Sequence, residues 1–259
     1  MLRTRVLTAL VALPAFLLAV YALPKSLFTA LVLCATAIGL AEVIAFCNCK
    51  TPVSVALFIA SLSIALFVLR QSGSTSLVCA VVSALLLLTC GVAVKGGDWQ
   101  LGRAILPFLG PLYVSALFPY FALLRNRAGG IKTMLLVILL VVIGDSAAYF
   151  AGTRWGSIKL LPRVSPNKTV EGALASLGSN LLFAWIWWRW MMPQTDFKTL
   201  LSSIAGLNFS AQVGDLVESA LKRLARLKES GSLFPGHGGL LDRADSLVFA
   251  TIFAYYYLG

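Results

Sequence analysis

Residues 76–94 form an apolar run with no charge in it. A lipid-facing barrel strand alternates apolar and polar positions, so an uninterrupted run of this length reads as helix. With it, the candidate spans lie near 5–22, 26–46, 52–69, 75–94, 101–124, 132–151, 173–192, 197–217 and 244–259. A bilayer core of ~30 Å takes ~20 residues of helix per crossing. Backbone polar groups in lipid must be satisfied within the segment, which helices achieve. The expected fold is therefore all-α, a polytopic integral membrane protein with about eight to nine transmembrane helices.

Composition supports this. The chain is 59% hydrophobic and 12% charged, against about 25% charged in an ordinary soluble domain. A soluble globule, a disordered chain and a disulfide scaffold are excluded on those figures. Cys34, Cys47, Cys49, Cys79 and Cys90 offer no paired zinc spacing and read as reduced, buried fillers. The run after Arg3 and Arg5 lacks a clear small-residue cleavage site, so no cleavable signal peptide is expected. Pro14 and Pro24 suggest a kinked or re-entrant first pair of helices. Nucleic acid fits so many spans poorly, and the net charge of +11 reads first as topology and attraction to anionic lipid. The Trp185, Trp187, Trp188 and Trp190 cluster reads as an interfacial belt.

The acidic residues are unevenly placed. Of the ten, only Glu42 and Asp98 precede Asp145. Two long hydrophilic connections, 152–172 and 218–243, lie in the same half. The expected division is thus a scaffold region, 1–130, and a catalytic region, 131–259, carrying those two loops. Asp145, Asp215, Glu218, Asp242 and Asp245 all fall at helix ends that share one membrane face. Acidic residues at membrane depth are costly and point to function. Lys and Arg in both loops make that face cytoplasmic, although Arg125, Arg127 and Lys132 would then fall outside. Glu42, inside an apolar run, reads as satisfied intramembrane structure.

Asp215 and Glu218 share a helical face at i and i+3, and Asp242 and Asp245 repeat that spacing. Carboxylates beside Lys222, Arg223 and Arg243 suit Mg²⁺ holding a polyphosphate. Gly238 and Gly239, beside His237, allow close backbone approach and supply N–H groups at a helix start. Ser165, Lys168 and Thr169 stand before another apolar run, where they read either as a phosphate-binding helix end or as a plain helix cap.

The run Ser219-x-Leu221-Lys222-Arg223-x4-Lys228-Glu229-x-Gly231-x2-Phe234-Pro235-x-His237-Gly238-Gly239-Leu240-x-Asp242-Arg243-Ala244-Asp245 covers 27 residues. It resembles the motif of the phosphatidate cytidylyltransferases, or CDP-diacylglycerol synthases. Gly144-Asp145-x3-Tyr149-x2-Gly152 and Ser165-Pro166-x-Lys168-Thr169-x-Glu171-Gly172 are similar to two further blocks of that family. Two positions depart from its pattern: Glu229 stands where Asp is usual, and Ala244 where a larger apolar residue is usual.

The resemblance implies a nucleotidyltransferase of phospholipid biosynthesis that converts CTP and phosphatidic acid to CDP-diacylglycerol and pyrophosphate. It implies Mg²⁺, with K⁺ as second ion. Asp215, Asp242 and Asp245 become the metal and catalytic carboxylates, with Lys168 catalytic beside them. Ser165, Thr169, Lys222, Arg223, His237, Gly238, Gly239, Arg243 and Asp145 become substrate-binding or supporting residues. The implied partners are CTP, phosphatidic acid and the lipid bilayer, with a homodimer as an assembly to test. The implied location is the inner, cytoplasmic membrane, with the site facing the cytoplasm. Two alternatives stand beside this reading: a CTP-dependent polyprenol or phytol-type lipid kinase, and a non-catalytic transporter or scaffold.

Overall fold

The apolar runs fold as helices in a computed structural model that describes residues 2–47, 51–70, 99–191, 193–194, 196–231, 233 and 238–258. The expected span 75–94 lies outside the described residues, as do Cys49, Cys79, Cys90, Asp98 and His237. Helices α1 (Leu2–Ala22), α2 (Lys25–Cys47) and α3 (Thr51–Arg70) come first. Next come α4 (Trp99–Leu117), α5 (Tyr120–Asn126) and α6 (Gly130–Trp155). A hairpin follows, β1 (Lys159–Leu161) and β2 (Ser165–Thr169). The last helices are α7 (Val170–Met191), α8 (Phe197–Leu224) and α9 (Leu241–Tyr257).

Among the described residues, Lys25–Ala45, Leu106–Asn126 and Gly130–Trp155 are long and apolar enough to cross a bilayer. Large apolar side chains face outward, including Leu18, Phe67, Leu174, Leu182 and Trp190, whereas Thr133, Ser176, Asn180 and Asn208 are buried. Apolar outside and small or polar inside is the pattern of helices packed in lipid. Cys34, expected to be buried, is exposed on α2 and belongs to that outward face. The protein is a helical integral membrane protein.

Several sequence expectations change in detail: the helix Phe197–Leu224 shortens the connection expected at 218–243, and Asp145 and Asp215, expected at helix ends, lie well inside α6 and α8. The span expected at 101–124 is divided at Phe118-Pro119 into α4 and α5. Proline has no N–H to donate and its ring crowds the carbonyl one turn back; α4 accommodates Pro107 and Pro111 within it but ends before Pro119. Pro14, by contrast, lies inside a continuous α1. The connection expected at 152–172 is shorter, because α6 runs to Trp155 and a hairpin fills most of the rest. Lys159 pairs with Thr169 and Leu161 with Ser165. The Val170 N–H then reaches the Ile158 carbonyl at 2.9 Å, so the hairpin leads directly into α7.

The chain forms two compact units, residues 1–123 with 217–245, and residues 124–216 with 246–259. In the first, α2, α3 and α4 pack on one another. In the second, α6 and α7 form the dominant pair, with β2 against both.

Candidate active site

The 27-residue motif folds within the first unit around Asp242. Just past the end of α8, Arg226 takes the left-handed region at φ 59°. The Leu227 N–H reaches the Lys222 carbonyl at 2.8 Å and the Arg226 N–H reaches the Arg223 carbonyl at 3.0 Å. This double closure is the usual way a chain turns sharply off a helix end, although glycine normally occupies that position. The turn sends residues 228–231 back toward the start of α9.

There the Asp242 carboxylate gathers four donors. Oδ1 receives the Lys222 ammonium at 2.5 Å. Oδ2 accepts the Ser230 N–H at 2.7 Å, the Ser230 hydroxyl at 2.8 Å and the Gly239 N–H at 2.9 Å. Burial disfavours its charge, but Lys222 and the Gly239 and Ser230 N–H groups outweigh that and hold its pKa below the usual aspartate range. Gly238 has φ +81°, and a Cβ there would run into Asp242 Oδ2. Glycine is needed at that position for both reasons.

Lys222 also stands 3.3 Å from Glu218 Oε1, an ion-pair approach without hydrogen-bond geometry. Glu218 is 2% exposed, and among the described residues neither of its carboxylate oxygens has a hydrogen-bond donor. Burial, then the Asp245 carboxylate, pushes its pKa well above the usual glutamate range. Burial alone would lower Lys222, but Glu218, Asp242 and Asp245 together raise it. The cluster is thus three carboxylates around one firmly charged ammonium.

The second unit holds Asp145, Ser165, Lys168, Thr169 and Asp215. Lys168, on β2, pairs with Asp215 of α8 at 2.5 Å, with the two side chains 29% and 25% exposed. Thr169 is buried, and its hydroxyl accepts the Gly172 N–H at 3.1 Å, which caps α7. Glu171 accepts the Ser157 N–H at 2.9 Å and the Ile158 N–H at 3.1 Å. Its own N–H and that of Ser157, against a small opposing burial effect, keep its carboxyl below the usual range. The helix-cap reading of Thr169 therefore has a concrete geometry.

The structure brings Lys168 together with Asp215, and Lys222 with Asp242 and Asp245. Arg223 turns to the Leu227 carbonyl at 3.1 Å, while Arg243 and Asp145 are exposed. Ser165 opens β2 opposite Leu161. Gly239 offers its N–H to Asp242. His237 lies outside the described residues. Among the described residues, no group of three His, Cys, Asp or Glu side chains is arranged to hold a metal ion as it stands. Sequence reasoning passed over Ser230 as a site residue and assigned Glu42 to structure. Glu42 is satisfied, as expected, and its partners are the Leu240 and Leu241 N–H groups of the motif. The only available signal was that a lone acid in an apolar run must find partners.

A helical membrane protein with basic side chains paired to carboxylates is the class defined so far. Residues 3–259 match the cytidylyltransferase family. The chain is 37% identical over 190 residues to a phosphatidate cytidylyltransferase of Bacillus subtilis, covering 73% of this chain and 70% of that protein. It is 41% identical over 141 residues to a phosphatidate cytidylyltransferase of Staphylococcus saprophyticus, covering 53% of this chain and 52% of that protein. An Escherichia coli protein named only as uncharacterized YnbB is 39% identical over 132 residues, covering 51% of this chain and 44% of that one. The aligned stretch thus spans about half the length of the staphylococcal relative. This chain belongs to the cytidylyltransferase family. It is a nucleotidyltransferase, which favours cytidylyl transfer over the kinase and transporter alternatives.

Proposed function

We propose that this protein transfers the cytidylyl group of CTP to phosphatidic acid, releasing pyrophosphate and forming CDP-diacylglycerol. The observation that carries this reading is the folded motif itself. Lys222, Asp242, Asp245 and Glu218 form one cluster in a chain whose similar relatives bear the phosphatidate cytidylyltransferase name. An oxygen of the lipid phosphate attacks the α-phosphorus of CTP. The bond from that phosphorus to the bridging oxygen breaks, and pyrophosphate leaves with the electron pair. Such chemistry depends on positioning and charge neutralisation, with no covalent enzyme intermediate required.

In this reading Lys168 and Lys222 hold phosphate oxygens, with Ser165, Thr169, Arg223, Arg243, His237, Gly238 and Gly239 as the remaining substrate-binding set and Asp145 in support. The donor chemistry also fits a hard divalent cation. Glu218 brings two buried carboxylate oxygens that lack hydrogen-bond donors among the described residues, and Asp242 and Asp245 lie beside it. Oxygen ligands of this kind suit Mg²⁺. The family resemblance assigns Asp215, Asp242 and Asp245 to it, with K⁺ as the second ion; of these, Asp242 and Asp245 share the first unit with Glu218. When bound, it supplies neutralisation of charge on the transferring phosphoryl group. The inner membrane, a cytoplasm-facing site and a homodimer complete the proposal.

The test is purified protein in detergent with phosphatidate and CTP labelled either on the α- or on the γ-phosphate. Transfer of the α-label to lipid is the expected result. Transfer of the γ-label to lipid would instead establish a kinase.

A further inference from the structure

Glu42 stands on α2, in the half of the sequence that reads as scaffold. Its carboxylate nevertheless belongs to the motif loop. Oε1 accepts the Leu240 N–H at 2.8 Å. Oε2 accepts the Leu241 N–H at 3.1 Å and the Ser230 hydroxyl at 3.2 Å. The first N–H groups of a helix have no partner within it and must be satisfied from outside. At α9, Glu42 supplies two of those acceptors, while Ser230 Oγ accepts the Asp242 N–H at 3.3 Å.

The glycines of the motif fit this carboxylate. A Cβ on Gly239 would lie 2.6 Å from both Glu42 oxygens, and one on Gly231 would lie 2.9 Å from Oε1. No side chain larger than hydrogen fits at either position while Glu42 keeps its place. Ser230 links the same carboxylate onward, because its hydroxyl also lies 2.8 Å from Asp242 Oδ2. The two acids share one hydroxyl proton, so displacing Glu42 leaves it to Asp242 alone and releases the Ser230 hydroxyl from its second anchor. All of these residues lie within the first compact unit.

We infer that Glu42 is a positioning residue for the reaction: it fixes the glycine loop and, through Ser230, the orientation of Asp242. A plain structural role for an acid in an apolar helix requires some partner. It does not require two consecutive N–H groups, a hydroxyl shared with the central aspartate and two glycines that make room. The inference rests on the cytidylyl-transfer reading above.

The experiment uses the full chain in detergent and follows α-labelled CTP into lipid, with a thermal unfolding curve for each variant. Glu42→Gln keeps the shape but turns an amide N–H₂ toward N–H donors. Its kcat should fall at least about tenfold, because small misplacements of reacting groups are that costly. Its KM for CTP should move less than about threefold, as expected for an effect on the transition state and not on ground-state binding. Gly231→Ala approaches the same contact from the loop side and should lower kcat in the same way, which carries the test if Glu42→Gln does not fold. The double variant should lose less than the product of the two single losses, because both disturb one contact. A folded Glu42→Gln with wild-type kcat, a kcat that falls only with the folded fraction, or fully multiplicative losses would overturn the inference. Absence of α-label transfer by the wild type would overturn the functional reading and this inference with it. An active wild type with an unaffected Glu42→Gln overturns this inference alone.

Discussion

Lys168→Met separates a phosphate contact from a structural ion pair, because the two roles predict different sizes of effect. In the structure Lys168 meets Asp215 at 2.5 Å, with side chains 29% and 25% exposed. Water and salt screen a pair so placed, and such pairs contribute about 0.2–1 kcal/mol to folding. In a domain of a few hundred residues that corresponds to a shift in Tm of about 2–4 °C at most. A charge-assisted hydrogen bond to substrate phosphate contributes about 1.5–3 kcal/mol. At about 1.4 kcal/mol per tenfold, its loss lowers kcat/KM by roughly 10- to 150-fold. Methionine keeps the length of the stem and removes only the ammonium, so packing changes little. The assay is α-label transfer from CTP to phosphatidate at varied CTP, beside thermal unfolding of the same preparation. The expected result is a large fall in kcat/KM with Tm nearly unchanged. A kcat/KM within about twofold of wild type, below the effect of one lost hydrogen bond, would refute the phosphate role. Lys168 would then be a support for β2 and α8.

Asp242→Asn should abolish label transfer yet leave the protein folded. It removes a charged bond in a pair whose side chains are 12% and 7% exposed, a cost of about 1.5–3 kcal/mol, measurable as a lowered Tm; a wild-type rate would remove Asp242 from the site. Gly238→Ala should destabilise by about 1–2 kcal/mol from the left-handed backbone alone, and more where its methyl displaces Asp242, with thermal unfolding and label transfer as the readouts. The Glu171 clamp should be acid-sensitive. Its folded carboxyl titrates below its ordinary value of 4.5, so the native state binds fewer protons than the unfolded one there. Its stabilisation is therefore complete above that value and is lost as pH falls through the lower, folded one. Amide exchange protection at Ser157 and Ile158 should follow that course in the wild type and show no such step in Glu171→Gln; identical profiles would exclude the clamp.

The helices were legible because the bilayer imposes a length and polarity rule that apolar runs display directly. The break at Pro119 was less so, since an apolar proline leaves the hydropathy of 101–124 intact while removing a hydrogen bond. The hairpin 159–169 carried no clear alternation, and Pro166 within β2 is tolerated only because a two-stranded ribbon has free edges. Within the site, the residue types and spacings around Asp242 were readable, but their pairings were not. Lys168 finds Asp215, and Lys222 finds Asp242 and Glu218, through folding that brings distant segments together. Glu42 shows most clearly where sequence reasoning stops. Glycines at 231 and 239 announce a close approach, and beside a basic motif the natural candidate for that approach is a phosphate. The structure puts a protein carboxylate there, from a residue 198 positions upstream of Leu240. A glycine records that something sits against the backbone without recording what it is. The N–H groups of Gly239, Leu240 and Leu241 are already taken by Asp242 and Glu42. At Gly239 both the backbone N–H and the space a Cβ would fill serve the carboxylates in this structure.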